Sequence, residues 1–156
     1  MEKERESVVV AVTGAHTNVG KSTLARKLTA ILPEAVFIKI GHGERKPGMD
    51  NMFYHVGTHF SRIARENSSA RFMVIESNSL LREVTPECVI YLPGGNPKKS
   101  AELARENADI IRGKKVEPET VDHLVERMRL PEMTVIDMIK AAGAIPPGGG
   151  RMKGNT

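Results

Sequence analysis

The chain has 156 residues, 40% of them hydrophobic and 27% charged, with a formal net charge of +4. That length suits roughly one domain able to bury its own core without disulfide or metal staples. The basic surplus is local, six Lys/Arg against three Asp/Glu over residues 93–115, and with 4% aromatic residues and no Trp it argues against a nucleic-acid surface.

Ser7 to Val12 is a β-branched apolar run, the pattern of a buried parallel strand. Lys21 to Leu32 predicts a helix with Leu24, Leu28 and Ile31 on one face, ended by Pro33. Ala35 to Ile40 predicts a second strand. Gly41 to Gly57 reads as a long loop rich in Gly, His and charge, and loops of that length in a compact domain are usually functional or disordered. Phe60, Ile63 and Ala64 suggest a short helix. Arg71 to Ile75 predicts a third strand, closed by Glu76, and Cys88 to Leu92 a fourth. The single cysteine, Cys88, therefore reads as a buried strand residue rather than a nucleophile.

After the turn cluster Pro93 to Pro97, Lys99 to Asn107 reads as a helix and Ala108 to Ile111 as a short fifth strand. Pro118 to Arg129 predicts a helix with Val121, Leu124, Val125 and Met128 on one face, its proline in the first turn. A last helix follows Pro131 and ends at Gly143, a glycine C-cap. Residues 144–156 carry no apolar pattern and are expected to be disordered. Strands alternating with helices imply an α/β fold, a mostly parallel sheet with helices on its faces. The expected organisation is a nucleotide-binding domain over 1–129, a helical extension over 130–143 and a tail. No apolar run approaches the ~18 residues of a membrane span. Acidic residues precede the first apolar stretch, against a secretory signal, and one cysteine suits a reducing compartment. A cytoplasmic protein is expected.

The strongest signal is Gly14-Ala15-His16-Thr17-Asn18-Val19-Gly20-Lys21-Ser22, which fits G-x-x-x-x-G-K-[ST] between a strand and a helix. Gly14 and Gly20 allow a tight turn, successive N–H groups form an anion nest, and the helix start adds its positive dipole end. The pattern predicts a P-loop NTPase-type three-layer sandwich. Gly14, Thr17, Asn18, Val19, Gly20, Lys21, Ser22 and Thr23 would bind the nucleotide. Lys21 would reach the β- and γ-phosphates, and Ser22 would place its hydroxyl on Mg²⁺. Glu76, at the end of its strand, is the expected acidic partner of that metal or its water. Between the second strand and the next helix, Lys39, His42, Glu44, Lys46, Gly48, Asp50 and His55 match no zinc spacing, and a switch or substrate-contact role is expected of this segment.

Three features together resemble the molybdopterin-guanine dinucleotide biosynthesis protein B family: the P-loop; Phe37-Ile38-Lys39-Ile40-Gly41-His42 followed by Lys46-Pro47-Gly48-Met49-Asp50; and Val74-Ile75-Glu76-Ser77. The likeness covers residues 7–129, with Ser77 standing where the family has Gly, as in a divergent branch. The resemblance implies binding of GTP with Mg²⁺, slow hydrolysis, homodimerisation, and a partner in a molybdenum-cofactor nucleotidyltransferase or a molybdoenzyme. It implies that Lys39 and His42 face the phosphates or pterin and that Asp50 joins Ser22 and Glu76 at the metal, with Lys21, Asp50 and Glu76 the catalytic set. Guanine comes from the resemblance alone: no Asn-Lys-x-Asp is present, Asn96-Pro97-Lys98-Lys99 lacks the acid, and ATP stays open.

Two other readings compete. A small-molecule P-loop kinase would bind its acceptor at Gly41–Gly57, with Asp50 or Glu76 as base; the arginines Arg105 and Arg112 look scattered rather than gathered in a lid. A nucleotide-dependent adaptor would dock a partner through Met128, Met133, Met138 and Val135-Ile136, if those side chains do not pack on the core.

Overall fold

The computed structural model describes residues 7–15, 20–42, 52–95, 99 and 101–148. Six strands form one sheet: β1 (Val8–Gly14), β2 (Ala35–Gly41), β3 (Met52–His55), β4 (Phe72–Glu76), β5 (Cys88–Leu92) and β6 (Ile110–Ile111). Their order is β3-β2-β4-β1-β5-β6 and every pairing is parallel. Among the described residues five α-helices flank it: α1 (Lys21–Ile31), α2 (Phe60–Glu66), α3 (Ala101–Glu106), α4 (Pro118–Met128) and α5 (Glu132–Ala141). This is an α/β architecture compatible with a Rossmann-like or P-loop fold.

The sheet's two faces divide the apolar side chains by parity, as a period of two requires. Val8, Val10 and Val12 of β1 face one core with Leu24 and Leu28 of α1, Val121 and Leu124 of α4, and Val135, Met138 and Ile139 of α5. Val9 and Ala11 face the other with Ile63 of α2, Met73 and Ile75. A smaller cluster joins Tyr91 to Ala101 and Ala104 of α3. All seven residues of β1 are buried, because it is the central strand, covered on both faces. Each fully buried valine there contributes about 1.5–3 kcal/mol. Cys88 is likewise fully buried, and burial pushes its thiol well above its ordinary pKa.

Two expectations change. The segment Gly41–Gly57 is not loop throughout, since Met52–His55 pairs with the outer edge of β2, Ile38 opposite Met52 and Ile40 opposite Tyr54. Tyr54 is buried there and donates to Glu66 Oε1 (2.8 Å), while Asn67 Nδ2 donates to its hydroxyl (3.1 Å). And residues 144–148, expected in a disordered tail, include a buried Ala144 and Ile145, which bridges Lys115 in parallel.

The last helix packs on α1 and α4 rather than standing apart. Met128, Val135 and Met138 are fully buried, so they pack on the core and are not a surface for the adaptor alternative; Met133 is 65% exposed. α5 ends in a Schellman motif: Gly143 N–H donates to Lys140 O and Ala144 N–H to Ile139 O, with Gly143 at φ +83° as that turn requires. Among the described residues no helix is long and apolar enough to cross a membrane.

Candidate functional site

Parallel strands bring their carboxyl ends to one edge of the sheet, and ligands of open α/β sheets bind there. Gly14 ends β1 on that edge, flanked by Glu76 at the end of β4 and Leu92 at the end of β5. The chain leaves β1 with Ala15 N–H donating to Leu92 O (3.0 Å), and Gly20 precedes α1 with a φ of +91° that is strained for any residue with a Cβ. Gly20 is the N-cap of α1 and has no side chain with which to cap it. Helix geometry leaves first-turn N–H groups outside the intrahelical ladder, and the positive dipole end lies where the strand-turn-helix pattern places phosphate.

Ser22 and Glu76 meet at this point. Ser22 Oγ donates to Glu76 Oε1 at 2.7 Å. Lys39 sits opposite Glu76 in the β2–β4 register, and its Nζ lies 3.9 Å from Glu76 Oε2. The parity explains the convergence: Phe72, Val74 and Glu76 share the α1 face of β4, and Phe37 and Lys39 share that face of β2. The Glu76 side chain is 8% exposed and that of Lys39 33%. A carboxylate so buried needs partners, and it has a hydroxyl and an ammonium.

A hydroxyl beside a buried carboxylate is an oxygen donor pair of the hard kind that Mg²⁺ takes, and Mg²⁺ keeps several waters, so two protein oxygens suffice. The residues present thus fit the metal. Among the described residues no group of three or more His, Cys, Asp and Glu could hold an ion. Asp50, Thr17, Asn18 and Val19 lie outside the described residues, as do His16, Glu44, Lys46, Gly48 and Asn96 to Lys98. Of the other expected residues, Lys21 is the half-buried first residue of α1, Thr23 is exposed in its first turn, and His42 is exposed just beyond β2.

Two residues that the sequence did not place at the site belong to the same edge. Asn78 clamps the end of β1 reciprocally: Gly14 N–H donates to its Oδ1 (3.0 Å) and its Nδ2 donates to Gly14 O (2.9 Å). The only hint was an amide side chain two residues after the strand-ending acid. Arg112, which looked scattered, brings its guanidinium to Gly20: a Cβ there would lie 3.7 Å from Nη1 and 3.9 Å from Nη2. On the face opposite α1, a cavity of about 440 Å³ opens between Ile40, Val56, Phe60, Leu80 and the pair Arg82 and Glu83.

In comparison with known proteins, no family model, no curated protein and no solved structure matches the chain.

Proposed function

We propose that this protein binds a nucleoside triphosphate with Mg²⁺ and hydrolyses it slowly, as a GTP-binding accessory protein of molybdenum-cofactor assembly. The observation that carries the nucleotide reading is the Ser22–Glu76 contact of 2.7 Å, set beside Gly20 and the start of α1. The cofactor-assembly reading is supported by the sequence resemblance alone, chiefly Ile38-Lys39 with His42 and Lys46 to Asp50.

Each residue has a task in this reading. The amides at the start of α1 and the Lys21 ammonium hold the phosphates. Ser22 and Glu76 would hold Mg²⁺, which neutralises charge on the β- and γ-oxygens when bound. Lys39 offsets the buried carboxylate and lies near enough to contact a terminal phosphate. Glu76 already accepts from Ser22 and pairs with Lys39, so it orients rather than accepts a proton, and slow turnover follows. Isothermal titration of the purified protein with GTP and with ATP tests the reading. Mg²⁺-dependent binding of at least one is expected, and binding of neither overturns it. A GTP-dependent rise in GMP transfer by a molybdenum-cofactor nucleotidyltransferase tests the pathway.

The small-molecule kinase is the second reading, and the cavity beside β2 favours it by giving an acceptor a place at the same edge. Nucleotide-dependent phosphorylation in a metabolite screen distinguishes it.

A further inference from the structure

We propose that the cavity on the face opposite α1 binds a small organic acid, its apolar body seated on the walls and its carboxylate held at the mouth by Arg82. The inference rests on the second reading in treating the cavity as a substrate pocket, and it supplies the chemistry of what fills it.

The walls come first. At about 440 Å³ the cavity falls in the range of about 300–1,000 Å³ usual for small-molecule pockets. Its apolar lining is Ile40, Val56, Phe60, Ile63 and Leu80. Ile40 follows Lys39 in β2, so it faces the other side of the sheet from the Lys39–Glu76 pair. Both walls are fixed by the chain itself. On one, Val56 N–H donates to Gly41 O (3.1 Å) and Thr58 N–H to His55 O (3.0 Å). On the other, Leu80 N–H donates to Ser77 Oγ (3.1 Å) and Glu83 N–H to Leu80 O (3.0 Å). Walls already held in place lower the ordering cost of binding.

The charges come second. Arg82 and Glu83 are neighbours in the lining, yet their roles differ. Glu83 Oε2 accepts from Phe60 N–H at 2.9 Å and lies 3.8 Å from His59 Nδ1. That carboxylate ties the two walls together, and its charge is engaged there. Arg82 is exposed at the end of the 3₁₀ helix Ser79–Arg82 and lines the cavity without a hydrogen bond or ion pair to the described residues. Its charge is the one available to a ligand, and a guanidinium offers a carboxylate paired donors. The Thr58 and Ser79 side chains add hydroxyls to a lining that is otherwise mostly apolar. An apolar body with an anionic head is the class that this combination selects.

The test is titration of the full chain with naphthylacetate, its neutral counterpart naphthylethanol and the cation naphthylethylamine, followed by backbone amide NMR. Naphthylacetate should shift the amides of Val56–Phe60 and Ser79–Glu83 and bind about fivefold to tenfold more tightly than the alcohol. In Arg82→Met the acid should fall to the affinity of the alcohol, while the alcohol keeps its own. Arg82 is exposed, so that variant should melt with the unmodified protein. No binding of the acid overturns the proposal, as do shifts confined to other residues. An alcohol or amine that binds as tightly as the acid overturns it too, and so does a preference for the acid that survives in Arg82→Met. The kinase reading fails separately. Acid binding that passes these checks, with no nucleotide-dependent phosphorylation in the metabolite screen, removes the kinase and leaves the proposal. Phosphorylation of neutral metabolites without binding of the acid does the reverse.

Discussion

Replacing Glu76 by Gln separates a structural ion pair from a metal-holding carboxylate. The amide keeps the shape and can still accept from Ser22, but it loses the charge that Lys39 faces. At 3.9 Å two unit charges attract by about 4 kcal/mol with an effective dielectric constant of about 20, and the cost of burying the carboxylate offsets most of that. The Ser22 bond falls from the charge-assisted range of about 1.5–3 kcal/mol to about 1 kcal/mol. The free protein should therefore lose about 1–2 kcal/mol, a fall of about 2–8 °C in melting temperature for a chain of this size. Titration calorimetry with and without Mg²⁺ then reads the function. Metal-free nucleotide affinity should hold or rise, because a negative charge beside the phosphates is gone, while the gain from Mg²⁺ should shrink by about tenfold or more. A variant that melts lower yet keeps the full Mg²⁺ gain would refute the metal assignment and leave Glu76 as a structural residue.

Gly143→Ala places a Cβ at φ +83° and against Arg112, so urea unfolding should show a loss of about 1–3 kcal/mol, and an unchanged midpoint would contradict the contact. Tyr54→Phe removes the donor to Glu66 and the acceptor for Asn67 and should cost about 1–2 kcal/mol at neutral pH. The Tyr54 hydroxyl holds the Glu66 carboxyl below its usual 4.5, so this contribution is present above that value and fades as the pH falls through the lower folded value. Burial, with Glu66 adding to it, raises the Tyr54 phenol above 10.0, so the protonated form's contribution is full below 10.0 and is lost as the pH climbs through the raised value. A Tyr54→Phe penalty that stays constant from acid to alkaline pH would contradict both. Cys88 should react with thiol reagents only as fast as the chain unfolds, and rapid labelling of the native protein at neutral pH would contradict its burial.

The elements that were legible are those whose apolar pattern is long or unbroken. Cys88–Leu92 falls where expected because five consecutive buried residues leave no other reading, and α1 and α4 follow from their i, i+3, i+4 spacing. β3 was hidden because it has four residues and one buried side chain, and its partner is an edge that only the folded sheet defines. In the site, the P-loop spacing announced Gly14, Gly20 and Ser22, and a charge after four apolar residues announced Glu76. Asn78 and Arg112 were not legible. Their contacts join them to Gly14, Gly20 and Ala142, positions far away along the chain, and an Asn or Arg after a strand carries no pattern of its own.

The central place of β1 also bears on how the chain reaches this state. Its two neighbours, β4 and β5, come about sixty and about eighty residues later, so no local hairpin can shield it. On a ribosome, Val8 to Val12 would emerge as an apolar stretch with neither edge paired, gain a partner only once Phe72–Glu76 is made, and stay open on its other edge until Cys88–Leu92 follows. That delay makes β1 the segment most exposed to self-association and to capture by chaperones during synthesis. The strand that ends at Gly14 is thus made well before either of the two strands that cover its edges.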